Sequence, residues 1–283
     1  MIVDAHAHLW TADYPWLADH AYAPIRRDYT VEDLRHALRA AAVDAAVLVE
    51  SGLGDAAETT GLLEVAADTR EIVGVVGWAP LTDPCVGDLV GKHRTDRGGQ
   101  LLVGVRDHLR HRPDDFLDRP DVRAGLRAVA ADGLVNELAV RAEQLPSVAR
   151  AAAALPEARF VLDHLGSPWL SEGDDGLAEW LNLIRPVAAC DNVVAKLSGL
   201  VTLARWDRWV LDDLRPYVDH SLDLFGTDRL MYGADWPVCE LAAPYPAVMN
   251  ALVSLLGGLP VNIFSATAVS TYQLEIDDYH RSH

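Results

Sequence analysis

Near its start the chain carries two histidines one residue apart, in Val3-Asp4-Ala5-His6-Ala7-His8. On an extended strand, positions i and i+2 face the same way. The two imidazoles can therefore hold one metal ion or aim two donors at one substrate oxygen. Other apolar runs end in the same manner, on an ionisable or broad aromatic side chain: Glu50, Trp78, Arg106, Glu137, the pair Asp163-His164, Lys196 and Asp235. A carboxylate such as Asp235, in Leu230-Met231-Tyr232-Gly233-Ala234-Asp235-Trp236-Pro237, can act as a general base toward water. Plainer readings stand beside these. A polar strand end explains His6 and His8, a satisfied structural histidine explains His164, and a turn-forming residue explains Asp235.

The elements that must position these groups follow from the apolar pattern. Eight short runs rich in Val, Leu and Ile lie at 2–6, 45–50, 72–78, 101–106, 134–140, 159–164, 193–197 and 230–235. They are near-continuous rather than alternating, as strands buried on both faces are. Amphipathic stretches separate them. One follows Thr30-Val31-Glu32-Asp33, which has the spacing of a capping box; others span 55–70, 121–131, 147–154, 177–189 and 206–225. Eight strand–helix units in a chain of this length predict a single-domain α/β fold over residues 1–283, a TIM-type (β/α)8 barrel, with catalytic groups at the C-terminal strand ends. Segments 9–29 and 79–99 exceed ordinary connections and are expected as loops over the active-site face. A polar tail begins at about 275.

Composition narrows the function classes. The 283 residues include 24 Lys+Arg against 42 Asp+Glu, a formal charge of −18, and 50% are hydrophobic. Such acidity opposes nucleic acid and anionic membrane surfaces as partners. Cys85, Cys190 and Cys239 form no C-x-x-C pair, which excludes a cysteine zinc site and fits a reducing, cytoplasmic setting. No apolar run reaches membrane-spanning length, and the N-terminus lacks a signal-peptide pattern. The basic residues are almost all arginine, Lys92 and Lys196 being the two lysines. Gly52 to Ala57 matches G-x-G-x-x-A, but the next strand ends in Trp78 rather than an acid, so a dinucleotide site is not supported. No G-x-S-x-G elbow makes Ser198 a nucleophile.

His6-x-His8 on the first strand together with Asp235 on the eighth resembles the amidohydrolase superfamily. Four islands sharpen the likeness: Tyr14-Pro15-Trp16-Leu17, Phe160 to Pro168 (FVLDHLGSP), Ala195 to Leu200 (AKLSGL) and Tyr232 to Val238 (YGADWPV). Together they are similar to the branch holding sugar lactonases and the pyrone-dicarboxylate lactonases, over residues 1 to about 274. The resemblance implies a distorted barrel that hydrolyses a cyclic ester, with Asp235 activating water and His6, His8, His164 and Arg106 binding or polarising the carbonyl. Glu50 stands where Gln is usual, Glu137 where Asp is usual, and Asp107 where His is usual. These departures bear on substrate more than on reaction. The alternatives are a metal-dependent amidohydrolase, deacylase or decarboxylase of the same superfamily, or a non-catalytic barrel.

A binuclear site of that superfamily needs a lysine on strand 4 and a histidine on strand 5; Arg106 and the run 134–140 provide neither. A single ion could use His6, His8 and Asp235 with Glu137 as fourth ligand, a set that suits zinc. A lactone is reactive enough to be opened without one, and metal-independent catalysis is the expectation, with one zinc as the alternative. Trp10, Trp16, Trp78, Trp169 and Trp236 fall at or beyond strand ends, where broad faces suit a sugar or pyrone ring, whereas Trp180, Trp206 and Trp209 are expected in barrel-to-helix packing. Trp10, Trp78, Glu50, Glu137, Lys196 and Trp236 are the expected substrate contacts. Of the arginines, Arg106 alone ends a strand, while Arg94, Arg97, Arg110 and Arg112 lie in adjacent loops. That scarcity favours a neutral or singly charged lactone, and a homodimer is left open.

Overall fold

A computed structural model of the chain describes residues 1–276. Its sheet holds eight parallel strands in chain order: β1 Val3–Ala7, β2 Ala45–Val49, β3 Ile72–Trp78, β4 Leu102–Arg106, β5 Val135–Leu138, β6 Phe160–Leu162, β7 Val193–Leu197 and β8 Leu230–Tyr232. The helices are α1 Val31–Ala41, α2 Ala56–Ala67, α3 Val86–Thr95, α4 Pro120–Ala131, α5 Leu145–Ala154, α6 Gly173–Ala188, α7 Leu200–Leu203, α8 Leu211–Phe225, α9 Tyr245–Leu256 and α10 Thr267–Tyr272. This is the (β/α)8 architecture, with β8 returning to β1 through the isolated bridge Ala7–Trp236. None of these helices is long and apolar enough to cross a membrane. Residues 277–283, most of the expected polar tail, lie outside the described residues.

Two apolar layers explain the near-continuous strand sequences. One set of strand residues, including Ala46, Leu48, Leu102, Leu138 and Leu162, packs outward against the helices. The alternate set, including Val47, Val103, Val135, Val161 and Met231, fills the barrel interior, where Ala268 and Tyr272 of α10 join it. The strand period of two then places Glu137, Asp163 and Lys196 on the same face as Val135, Val161 and Val194, one layer nearer the C-terminal end. A charged layer thus rests on an apolar one.

Four strands, β2, β5, β6 and β8, stop one to three residues short of their expected ends. The backbone turns out of the ladder at His164 and Asp235, which have φ of 50° and 59°, a left-handed conformation that cannot continue a strand. Capping follows the sequence: Thr30 and Asp33 form a reciprocal box at the start of α1, and Asp55 caps α2. Segment 79–99 differs from expectation. Residues 86–95 form α3, whose buried Val86, Val90 and His93 face inward, and none of the segment lines the cleft described below. Gly87 and Gly91 lie within α3, where burial of its apolar face outweighs their intrinsic helix cost. Segment 9–29 contains two 3-10 turns, Pro15–Ala18 and His20–Ile25. Finally, the helix expected at 206–225 begins at Leu211, so Trp206 lies in a turn.

Candidate active site

At the C-terminal end of the barrel a cleft of about 380 Å³ opens between the strand ends and segment 9–29. His8, Glu50, Arg106, His164 and Asp235 face it, as do Trp10, Trp16, Tyr22 and Trp206. Trp16 packs edge-on against Trp10 and Tyr22, with ring centroids 5.1 and 5.0 Å apart. An aromatic wall therefore stands over a floor of ionisable groups.

On the floor, three donor atoms converge. Asp235 Oδ1 is 3.7 Å from His6 Nε2 and 3.5 Å from His8 Nε2. His8 Nδ1 lies 2.9 Å from the Val49 carbonyl, to which only a protonated Nδ1 can donate; in that tautomer Nε2 carries the lone pair. His6 Nε2 is buried and has no hydrogen-bond partner. Burial, with Lys196 beside it, holds the His6 imidazole well below its usual pKa, and the ring is neutral. An orphaned imidazole nitrogen, a second lone pair and a carboxylate oxygen, all within 4.8 Å of one another, form a donor set that fits one divalent ion. Expected metal independence thus gains no support from this floor. Glu137, expected as a fourth ligand, lies on the opposite edge of His6, 3.9 Å from Nδ1. A second group, His6, Asp163 and His164, also has ligand spacing. There, however, Asp163 already faces Lys196 at 3.0 Å and Arg106 at 3.0 Å, which leaves it little charge to offer.

The charged layer holds this floor from beneath. The Lys196 ammonium is fully buried, 2.7 Å from Glu137 Oε1, 3.0 Å from Asp163 Oδ1 and 3.0 Å from His6 Nδ1. Tyr272 donates to the other Glu137 oxygen. Burial and the nearby Asp163 push the Glu137 carboxyl up, whereas at Asp163 the cations Lys196 and Arg106, with His6, overcome burial and hold it down. Arg106 donates Nε to Glu50 Oε1 at 2.6 Å, Nη2 to the Glu50 carbonyl at 2.6 Å and Nη1 to Asp163 Oδ2 at 3.0 Å. Burial would raise Glu50, but Arg106 and His108 outweigh it and set its pKa at about 2. In return Glu50, 3.0 Å from His108 Nε2, raises the His108 pKa. His164 bonds Ser198 Oγ through Nδ1 at 2.8 Å, and burial lowers its pKa to about 4.

The chain belongs to the amidohydrolase family. Residues 3–260 match the family model described as Amidohydrolase. An L-fucono-1,5-lactonase of Burkholderia multivorans is 39% identical over 260 residues, covering 88% of this chain and 86% of that protein. Another protein of that name, from Burkholderia ambifaria, is 33% identical over 248 residues, 86% of this chain and 82% of that one. Among solved structures, an amidohydrolase from Burkholderia multivorans with bound zinc superposes with a TM-score of 0.90 at 35% identity, covering 97% of this chain and 100% of that one.

Within this amidohydrolase the sequence-derived residues divide. His8, His164, Asp235, Arg106, Glu50 and Trp10 face the cleft, and His6 lies directly beneath it. Lys196 and Glu137, expected to touch substrate, are behind the cleft lining at zero exposure and serve as the internal ion pair. Trp236 is buried, with Nε1 on Glu240 and its ring against Tyr29. Trp78 stands behind His108, its ring centroid 6.2 Å away. Trp206 corrects the expectation of helix packing: its turn ahead of α8 brings it to the cleft. Of the loop arginines, Arg110 lines the cleft, while Arg94, Arg97 and Arg112 engage Asp132, Asp68 and Phe116. Asp163 was legible as a strand-end carboxylate but without a role, which the structure supplies as the partner of Lys196 and Arg106. Tyr272 was not legible, because it arrives from the far end of the chain with no local signal.

Proposed function

We propose that this amidohydrolase hydrolyses a sugar-type lactone, neutral or singly charged, of the class named for its lactonase relatives. The observation that carries the reading is Asp235 on the floor of the cleft, 5% exposed, with His8, His164 and Arg106 lining the same cleft. Asp235 is fixed by its own N–H on the His6 carbonyl (2.9 Å) and by its carbonyl, which accepts from Cys239 N (2.8 Å). Its Oδ1 faces the two histidines, and its second oxygen is the one available to water. The carboxylate takes a proton as the water oxygen bonds to the lactone carbonyl carbon. The ring C–O bond then breaks, and the proton passes to the departing alkoxide, leaving the open-chain hydroxy acid.

His164 stays neutral at physiological pH and can donate one ring N–H to the carbonyl oxygen while Ser198 holds the other nitrogen. Two N–H groups of Arg106 remain after its three internal bonds and are available to the same oxygen or to ring hydroxyls. Trp10, Trp16 and Trp206 supply apolar faces for the ring. A divalent ion at His6, His8 and Asp235, zinc by the donor set, would add Lewis-acid polarisation of the carbonyl.

A pH-indicator screen of sugar lactones, with and without chelator, tests the reading. Turnover is expected, and Asp235→Asn is expected to lower kcat by roughly 10²–10⁴-fold, the contribution of a positioned base. Loss of turnover with chelator, restored by zinc, assigns the ion a catalytic role. Amide hydrolysis or decarboxylation with no lactone opened would overturn the proposal.

A further inference from the structure

Seven of the strand neighbours pair through ladders of several residues, β1–β2 through β7–β8, the first three of them with a register shift. The eighth seam, between β8 and β1, has instead the single bridge Ala7–Trp236. This seam carries the chemistry, since His6 and His8 stand on one side of it and Asp235 on the other. A fully buried side chain fills the gap. Asp4 Oδ1 accepts from the backbone N–H of His6 at 2.9 Å and of Ala234 at 3.0 Å, and Oδ2 accepts from the Tyr245 hydroxyl of α9 at 2.7 Å. Beside it, Asp235 N donates to the His6 carbonyl at 2.9 Å and His8 N to the Trp236 carbonyl at 2.7 Å. The approach is close: a Cβ on Gly233 would come 2.8 Å from the His6 Cβ.

We propose that Asp4 is a positioning residue, whose carboxylate replaces the missing ladder between β1 and β8 and so fixes His6 against Asp235. The two amides that share Oδ1 belong to His6 itself and to the residue before Asp235. Without that oxygen both are buried donors lacking a partner, and the seam must shift to satisfy them. A shift on the order of 1 Å at such a constellation costs about 10²-fold in rate. The inference rests on the reading of His6, His8 and Asp235 as the reacting and ion-holding centre.

Zinc affinity, by competition with a chromophoric chelator, and kcat and KM on a sugar lactone are to be measured for the parent, Asp4→Ala, Asp4→Asn, Tyr245→Phe and Gly233→Ala. Asp4→Ala is expected to lose about tenfold or more in zinc affinity and roughly 10²-fold in kcat, with KM within about threefold. Asn keeps an oxygen for both amides, so Asp4→Asn is expected to stay within about threefold of the parent. Tyr245→Phe removes the Oδ2 bond and leaves both amides on Oδ1, and it is expected to lower Tm without moving either readout. If Asp4→Ala fails to fold, Gly233→Ala opens the same seam by its Cβ and carries the expected loss. Parent-like zinc affinity and kcat in Asp4→Ala or Gly233→Ala overturn the inference, as does Asp4→Asn as defective as Asp4→Ala. A parent that binds zinc but opens no lactone ends the functional reading and leaves the zinc arm to decide Asp4. A parent that does neither removes the centre on which the inference stands.

Discussion

Arg110 is the residue that most directly reports what the cleft accepts. It is half-buried, it lines the cleft, and it donates Nη2 to Ser167 Oγ at 2.9 Å. Among the described residues no carboxylate lies within ion-pair distance of it, and burial lowers its pKa. A guanidinium held there without a counter-charge is costly to the free protein and useful to a ligand oxygen. Arg110→Met is therefore expected to raise KM about tenfold, the worth of one hydrogen bond to a charged group. It should change kcat less and leave Tm within a few degrees. A KM that does not move in steady-state assays would place Arg110 outside the substrate's reach. His108 and Arg110 both follow the Arg106 strand end by a few positions. Strand-end reading captures Arg106 and leaves these two as loop residues, because the turn Leu109–His111 that aims them has no clear sequence mark.

At the scale of elements, the order and number of strands were legible because burial on both faces leaves unbroken Val/Leu/Ile runs. The ends of β6 and β8 were not, because nothing in the sequence announces a left-handed turn at His164 or Asp235. Those same turns deliver the two side chains to the cleft, so the misplaced boundaries and the functional positions coincide. Helix α3 was hidden for a different reason: the length of segment 79–99 read as a loop, and the helix inside it was passed over. Its neighbour α4 shows what close packing in this region demands. A Cβ on Gly125 would lie 2.1 Å from the Leu81 carbonyl oxygen, a backbone atom that cannot rotate away. Gly125→Ala is expected to destabilise the fold by about 1–3 kcal/mol, the usual cost of overpacking. Chemical denaturation checks this. Because the cleft is lined by other segments, kcat at 25 °C should be unaffected.

For the whole molecule, a charge of −18 describes a solvated acidic surface, while the pH dependence of stability is concentrated in a few buried groups. Glu50 is one. Its folded pKa of about 2 lies below the usual 4.5, so its stabilising contribution is fully present above 4.5 and is lost as pH falls toward 2, where the unfolded chain binds the extra proton. His108 has the opposite sign. Its folded pKa is raised above 6.5 by Glu50, so its contribution is present below 6.5 and is lost as pH rises through the raised value. Glu50→Gln removes both terms and leaves Arg106 with Asp163 as its remaining ion-pair partner. The variant is expected to be less stable than the parent by about 3–5 kcal/mol, the cost of breaking a buried pair. That difference should be widest between pH 4.5 and 6.5 and should narrow on both sides, steeply in acid and gently in alkali. Urea melts of the two proteins from pH 3 to 9 read the difference directly. A gap that stays constant across the range would mean that neither Glu50 nor His108 changes its protonation on folding in the way the buried pairing requires.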